Sequence, residues 1–146
     1  MNLLEMRAHP DRYAVVAKID RKDVRLLWHS GYYDGPYNGL LVYREQKLWF
    51  EMLDESVGHP GDPQYPGWYR RYAILRLTRE QLEIEEKWHE LFREKVGAHT
   101  DYDENGSRPI GQVMPREMWN EFYEPAVKRT PEDFSSCEVV GWYEVG

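Results

Sequence analysis

The fold is decided by residues 27–51, which read LWHSGYYDGPYNGLLVYREQKLWFE. This stretch holds two of the six tryptophans of the chain, and its β-branched and aromatic residues favour strands. Between its β-forming segments lie Asp34-Gly35-Pro36 and Asn38-Gly39. Asp and Asn tolerate a left-handed backbone, and Gly adopts a positive φ without strain. We therefore predict a structured loop between two strands.

Segments of similar composition on both sides extend the predicted sheet. Only residues 44–47 separate the last two β-forming segments of the stretch, which is short enough only for a hairpin. The final segment contains Gly141 and is predicted to carry a β-bulge. It either pairs at an edge of the sheet or inserts between earlier strands, and the sequence leaves both arrangements open. The predicted strands are 13–19, 24–30, 40–43, 48–53, 68–77 and 137–145.

Two helices are predicted between the fifth and the sixth strand. Thr78 and Gln81 have the spacing of a capping box, and Gly97 is expected to end the first helix. The second helix begins at Pro115 and is kinked or ended by Pro125. The residues at helical spacing that predict the buried stripe of the first helix are Ile84, Trp88, Leu91, Phe92 and the stem of Lys95.

The order of these elements predicts one α+β domain that spans residues 1–146. We expect a mainly antiparallel, twisted sheet of about six strands, in the chain order β-β-β-β-β-α-α-β, covered by two helices. Residues 54–67 contain three prolines and three glycines. This composition predicts a long surface loop.

The chain lacks the patterns of exported and membrane-spanning proteins. Its N-terminal apolar run is too short for a signal peptide. No run approaches the roughly 18–20 apolar residues that a membrane span needs. The single cysteine, Cys137, cannot form an internal disulfide, which favours a reducing compartment. We therefore expect a cytoplasmic protein that does not enter a membrane.

The net charge of −7 comes from the second half of the chain. Residues 1–77 contain eleven Lys and Arg against ten Asp and Glu, residues 78–100 four against six, and residues 101–146 four against ten. An acidic surface disfavours nucleic acid and favours a basic protein partner, although it also serves simply to keep a protein in solution. The carboxylates expected to meet such a partner are Glu83, Glu85, Glu86 and Glu90.

Aromatic residues flank the two loops that are rich in Gly and Pro. If both loops lie at the same end of the sheet, their side chains form a rigid aromatic surface of the kind that dominates recognition sites. Packing in the core is the alternative explanation, and it accounts better for the tryptophans than for the loop tyrosines. The predicted ligand-binding residues are Tyr32, Tyr33, Tyr37, Tyr65 and Trp68, with Arg25 as a site for an anion.

A site for acid–base chemistry is the competing hypothesis for the same region. His29 ends a predicted strand, Asp34 lies in the adjoining loop, and Glu51 lies on a neighbouring strand. A histidine that a carboxylate orients is the usual general base, and regular alternation places Arg25 on the face of His29. The candidate catalytic residues are therefore His29, Asp34 and Glu51, unless His29 only hydrogen-bonds the loop.

Metal-binding patterns are incomplete in this chain. Residues 101–106 read DYDENG and resemble the first half of an EF-hand calcium loop, with Asp101, Asp103 and Asn105 as ligands. The twelfth position is Gln112 instead of the bidentate Glu, so an acidic turn with Asx hydrogen bonds is the alternative. Glu86 and His89 have the spacing of a di-iron ligand pair, but no second Glu-x-x-His exists, and the pattern indicates a solvated helix face. No motif predicts a bound cofactor.

Two functional hypotheses follow from these observations. The first is a noncatalytic, cytosolic binding protein that docks a basic protein partner, for example as an inhibitor or an immunity-like protein. The second is a small-molecule enzyme or ligand-binding domain with a pocket around His29, Asp34, Glu51 and Arg25.

Overall fold

The computed structural model describes residues 1–56, 67–107, 109–123 and 132–146, with only the backbone at residues 109 and 110. A short 3₁₀ helix, Arg21–Asp23, precedes the first strand. The helices are α1 (Leu3–Ala8), α2 (Arg79–Lys95) and α3 (Arg116–Tyr123). The strands are β1 (Val24–His29), β2 (Asn38–Tyr43), β3 (Gln46–Ser56), β4 (Tyr69–Arg76), β5 (Asp101–Tyr102), β6 (Pro109–Ile110) and β7 (Glu138–Val145).

All seven strands belong to one sheet, in the order β6-β5-β1-β2-β3-β4-β7. Every neighbouring pair in this order is antiparallel. The predicted α+β class with an antiparallel sheet is therefore confirmed. The last strand, β7, pairs with β4 at one edge and does not insert between earlier strands, which answers the question that the sequence left open.

The predicted hairpin joins β2 to β3. Tyr43 pairs with Gln46, and the two residues between them, Arg44 and Glu45, have φ values of 49° and 65°. Two consecutive left-handed residues make the tight turn whose twist matches that of antiparallel strands. β3 runs to Ser56, so the prediction that irregular structure starts at residue 54 is wrong; the rest of that predicted loop lies outside the described residues.

The predicted strand at 13–19 is not a strand. It contributes one bridge, in which Lys18 lies beside Trp142, and two hydrogen bonds that join Ala17 O and Ile19 N to Trp142. Residues at the start of the chain bind β7 in the same way, because Leu3 N donates to Cys137 O and Val139 N donates to Met1 O. The N-terminal segment thus covers an edge strand, whose exposed backbone groups otherwise attract other strands.

The predicted bulge in β7 is present. Ile74 pairs with Gly141 and Leu75 with Val139, so one extra residue stands between them on β7. A Cβ atom at Gly141 would lie 2.8 Å from Ala17 O and 2.4 Å from Ile19 Cδ1. Gly141 is therefore required because the N-terminal segment crosses β7 at close range.

Both faces of the sheet carry a hydrophobic core, as the alternation of side chains along each strand dictates. One core receives α1, Phe134 and Leu82 of α2. Its buried sheet residues include Trp28, Leu40, Trp49, Ala73, Leu75, Val139 and Trp142. The buried residues of the opposite core include Ile19, Val24, Leu26, Leu41, Leu48, Phe50, Tyr72, Ile74 and Tyr143.

Helix α2 begins as predicted, with a reciprocal capping box between Thr78 and Gln81. The prediction that its apolar stripe is buried is wrong: these residues are half-buried, and the stripe meets α3, where the rings of Trp88 and Phe92 contact Phe122 at centroid distances of 6.0 and 5.3 Å. Glu85 is the residue of α2 that is fully buried, at 2 % exposure.

Helix α3 starts at Arg116, directly after the predicted first residue, Pro115. The predicted end of this helix at Pro125 lies outside the described residues. Within the described ranges, no helix is both long enough and apolar enough to cross a bilayer.

Candidate functional site

An aromatic surface lies where β1 and β4 meet the loop before β2. Tyr32, Tyr33 and Trp68 are 56 %, 68 % and 42 % exposed, whereas Tyr37 is half-buried. Tyr65, the fifth predicted member, lies outside the described residues. The loop tyrosines therefore face solvent and do not fill the core. We call Tyr32, Tyr33, Tyr37 and Trp68 the aromatic surface.

Arg70 holds this surface together from below. Its side chain is only 2 % exposed, and its guanidinium lies over the rings of Tyr37 and Trp68, at 5.2 and 5.6 Å from their centroids. It donates hydrogen bonds to Tyr33 O and, at 3.4 Å, to Pro36 O. Its Nε lies 2.9 Å from Glu55 Oε2. One buried cation thus brings the loop and Trp68 to the same end of the sheet.

The backbone of the loop is fixed independently of Arg70. Tyr37 N donates to Gly31 O, Met52 N donates to Tyr37 O, and the Tyr72 hydroxyl donates to Pro36 O over 2.6 Å. As predicted, Asp34 and Gly35 adopt positive φ values, 52° and 129°. A loop with this many bonds presents its tyrosines at little entropic cost.

Two glycines of this region serve as spacers. A Cβ atom at Gly35 would lie 2.8 Å from Arg70 Nη1, so the loop packs directly on the guanidinium. Gly39 lies in β2 and does not adopt the positive φ expected of a loop glycine. A Cβ atom there would lie 2.1 Å from Trp28 O, because β1 approaches β2 closely at this point.

The four residues of the predicted acid–base pocket do not come together. The β1–β2 register shifts between Leu26 and Trp28, so Leu27 forms a bulge. Because a bulge reverses the alternation beyond it, Arg25 and His29 point to opposite faces, and the prediction that they share a face is wrong.

The two carboxylates are also separate from His29. Asp34 is exposed in the loop, and Glu51 accepts a hydrogen bond from Trp49 Nε1, 2.8 Å away, on the face of the first core. Burial raises the pKa of Glu51, although this hydrogen bond opposes the shift. His29 instead packs against the rings of Tyr32 and Tyr102, at 4.8 and 5.8 Å.

His29 is buried as a neutral ring. Its Nδ1 has no hydrogen-bond partner in the described structure. Burial lowers its pKa to about 4, and the nearby His99 and His89 act in the same direction while Asp101 opposes them. Between the unfolded pKa of about 6.5 and this folded value, the unfolded chain takes up a proton that the folded protein does not.

We therefore expect stability to be complete above pH 6.5 and to fall as the pH drops towards 4. From about pH 7.5 to about pH 5, His29 should account for about 1–2 kcal/mol of lost unfolding free energy. Urea unfolding of the wild type and of His29→Gln at both pH values measures this contribution, because the two proteins share every other titratable group. Equal pH dependence of the two proteins would contradict it.

The predicted partner-binding carboxylates of α2 fall into two groups. Glu83 pairs with Arg79 and Glu86 with Lys47, each at 3.1 Å on the surface, and Glu90 is exposed. Glu85 is buried, and it lies on the same side of the helix as Leu82 and His89, which contact the sheet. The prediction that Glu85 belongs to the acidic docking surface is therefore wrong.

Two of the three predicted calcium ligands already have other partners. Asp101 Oδ1 lies 2.6 Å from His89 Nε2, and Asp101 Oδ2 lies 2.8 Å from Arg93 Nε. Asp103 Oδ1 accepts hydrogen bonds from the backbone N–H groups of Asn105 and Ser107, both at 2.9 Å, which makes the alternative Asx turn. Among the described residues, no three His, Cys, Asp or Glu side chains are grouped to hold a metal ion.

Two features of this region were not predicted from the sequence: Arg70 as the anchor of the loop, and the contact of His89 with Asp101. Arg70 points to the same face of β4 as Tyr72 and Ile74, which lie in the second core. A charged residue at a position that alternation assigns to the core could have indicated a buried, paired arginine. His89, predicted on a solvated helix face, stacks on Trp28 with a centroid distance of 4.1 Å.

The chain is thus an α+β protein with a rigid aromatic surface at one end of an antiparallel sheet. Comparison with models of known protein families, with curated proteins and with solved structures gives no match.

Proposed function

We propose that this protein is a noncatalytic binding protein that docks a basic protein partner through its aromatic surface. The observation that carries the proposal is the exposure of Tyr32, Tyr33 and Trp68 above a buried arginine. Tyr and Trp on a rigid support bury a large area while few torsions are frozen, and such residues supply most of the affinity in protein interfaces.

The charges around the aromatic surface favour a cationic partner. Arg70 is the cation that contacts the rings of the aromatic surface. It is buried and paired with Glu55, so it offers no positive charge to solvent. Asp34 is exposed in the same loop and forms no ion pair within the described residues, and the exposed carboxylate of Glu55 is the one that Arg70 neutralises. A partner's Arg or Lys would meet both carboxylates and aromatic faces, the same surroundings that Arg70 has within this chain.

The carboxylates of α2 extend the same preference over a longer range. Glu83, Glu86 and Glu90 add to a chain of net charge −7. Charges outside the contact area increase the association rate more than the affinity. A role as an inhibitor of a basic protein, such as an immunity-like protein, fits this combination.

The buried free thiol of Cys137 fits a reducing compartment, and we propose that the protein acts in the cytoplasm.

Tyr33→Ala is the variant that tests the aromatic surface. Arg70 binds the carbonyl oxygen of Tyr33 and not its ring, so alanine preserves the hydrogen bond that fixes the loop. We expect about 10- to 100-fold weaker binding, the loss typical of a central aromatic residue in an interface, with little change in stability. The partner, captured on the wild-type protein and purified, is titrated by calorimetry with each variant.

Tyr123→Ala is the matched control. Tyr123 is 56 % exposed on α3, away from the aromatic surface, and its loss should change the affinity less than about twofold. The proposal is supported if the captured protein is basic and Tyr33→Ala alone weakens binding. A partner that binds wild type and Tyr33→Ala equally, or a partner of net negative charge, would contradict it.

A further inference from the structure

A cleft lies between α2 and the edge of the sheet where β1 meets β5. Its volume is about 440 Å³, within the range of about 300–1,000 Å³ of sites that hold small molecules. Half-buried Leu27 and the largely buried ring of Trp28 supply apolar wall, and His89, Glu90 and Asp101 supply polar wall. This cleft is separate from the predicted pocket around His29, whose four residues do not line it.

The polar wall is built from fixed side chains. Asp101 binds His89 with one oxygen and Arg93 with the other, and the flat face of His89 lies on Trp28 with 8° between the ring planes. Burial lowers the pKa of His89, although the hydrogen bond to Asp101 opposes the shift. The imidazole is therefore neutral at pH 7 and adds no positive charge to the cleft.

The charges of the cleft do not cancel. Lys47 is paired with Glu86, and Arg93 is paired with Asp101. Glu90 lines the cleft and has no ion-pair or hydrogen-bond partner in the described part of the chain. With His89 neutral, one carboxylate is uncompensated. A wall that combines apolar side chains with a single uncompensated carboxylate suits a cation with an apolar body.

We propose that this cleft binds a small organic cation, an amine carried on a flat apolar group. The ammonium group pairs with Glu90, and the apolar group lies against Leu27 and Trp28. Asp101 and Arg93 fix His89, which in turn fixes the Trp28 ring that the ligand contacts. This site does not depend on the proposed docking of a basic protein, because its residues are not those of the aromatic surface.

Two probes of the same skeleton and opposite charge test the proposal: phenethylamine and 3-phenylpropanoate. We expect phenethylamine to shift the amide NMR signals of residues 86–93 and 101–102 in a saturable manner, with a dissociation constant on the order of 1 mM. Phenylpropanoate should bind at least about fivefold more weakly, because its carboxylate opposes Glu90.

Glu90→Gln identifies the carboxylate, with Glu94→Gln as the matched control. Both side chains are exposed on α2, but only Glu90 lines the cleft. We expect about fivefold weaker binding of phenethylamine to Glu90→Gln and less than about a twofold change for Glu94→Gln. Equal affinity for the two probes, an unchanged affinity in Glu90→Gln, or shifts confined to the aromatic surface would overturn the proposal. The same NMR spectra show whether each variant is folded.

Discussion

Replacing Arg70 with alanine is expected to lower the free energy of unfolding by roughly 2–4 kcal/mol, through one orphaned buried acceptor and the loss of a large buried side chain. The substitution removes a buried arginine from its ion pair with the exposed Glu55 and leaves the carbonyl oxygen of Tyr33 without its side-chain donor, whereas Pro36 O keeps the hydrogen bond from the Tyr72 hydroxyl. It also removes the group between the Tyr37 and Trp68 rings. Removing the donor of a buried hydrogen bond costs more than the bond itself contributes, because the acceptor that remains stays desolvated.

Urea unfolding of the two proteins measures the loss, and Arg76→Ala is its matched control. Arg76 lies on the same strand and pairs with Glu138 at 3.4 Å, but both side chains are largely exposed. Exposed pairs contribute at most about 1 kcal/mol, so Arg76→Ala should have a small effect. If the two substitutions lower the free energy of unfolding equally, Arg70 does not hold the loop in place.

Arg70→Lys separates the charge of Arg70 from its geometry. Lysine keeps the positive charge, but its single ammonium group cannot reproduce the planar array of donors that reaches Glu55, Tyr33 and Pro36 together. We therefore expect Arg70→Lys to remain less stable than the wild type. We also expect faster amide hydrogen exchange at Tyr37, because the loop loses part of its attachment.

The sequence was a good guide where local chemistry alone decides the structure. The hairpin, the capping box of Thr78 and Gln81, and the left-handed turn at Asp34 and Gly35 each follow from a few neighbouring residues. The antiparallel sheet follows from the spacing of β-forming segments. These features do not depend on which distant segment packs against them, so propensity and turn chemistry were sufficient.

The candidate site was harder to predict because it depends on registers between strands. Leu26, Leu27 and Trp28 are all apolar, so alternation cannot show which of them forms the bulge, and the bulge determines the face of His29. The predicted strand at 13–19 failed for a similar reason. This segment instead lies along the edge of β7 and forms a single bridge there. That tertiary contact overrides the preference of its residues for a strand.

The pair of His89 and Asp101 also lay beyond local patterns. His89 is on α2 and Asp101 is on β5, and they meet because β5 pairs with β1 at Trp28, the residue on which His89 stacks. Nothing in the sequence around either residue indicates that register. Trp28 is therefore the residue that connects the sheet, the helix and the walls of the cleft.

Trp28→Ala is accordingly expected to destabilise the protein by roughly 3–5 kcal/mol, the usual cost of removing a large buried aromatic side chain. The ring is buried, stacks on His89 at 4.1 Å and meets the edge of Trp49 at 5.5 Å, so alanine leaves a cavity between α2 and the sheet. Trp68→Ala is the matched control. Trp68 is exposed, and its main contact in the described structure is with Arg70, so urea unfolding should show a loss of about 1 kcal/mol or less. Equal losses for the two variants would mean that the contact between Trp28 and His89 does not hold α2 against the sheet, and the cleft would then lack the fixed wall that a ligand site requires.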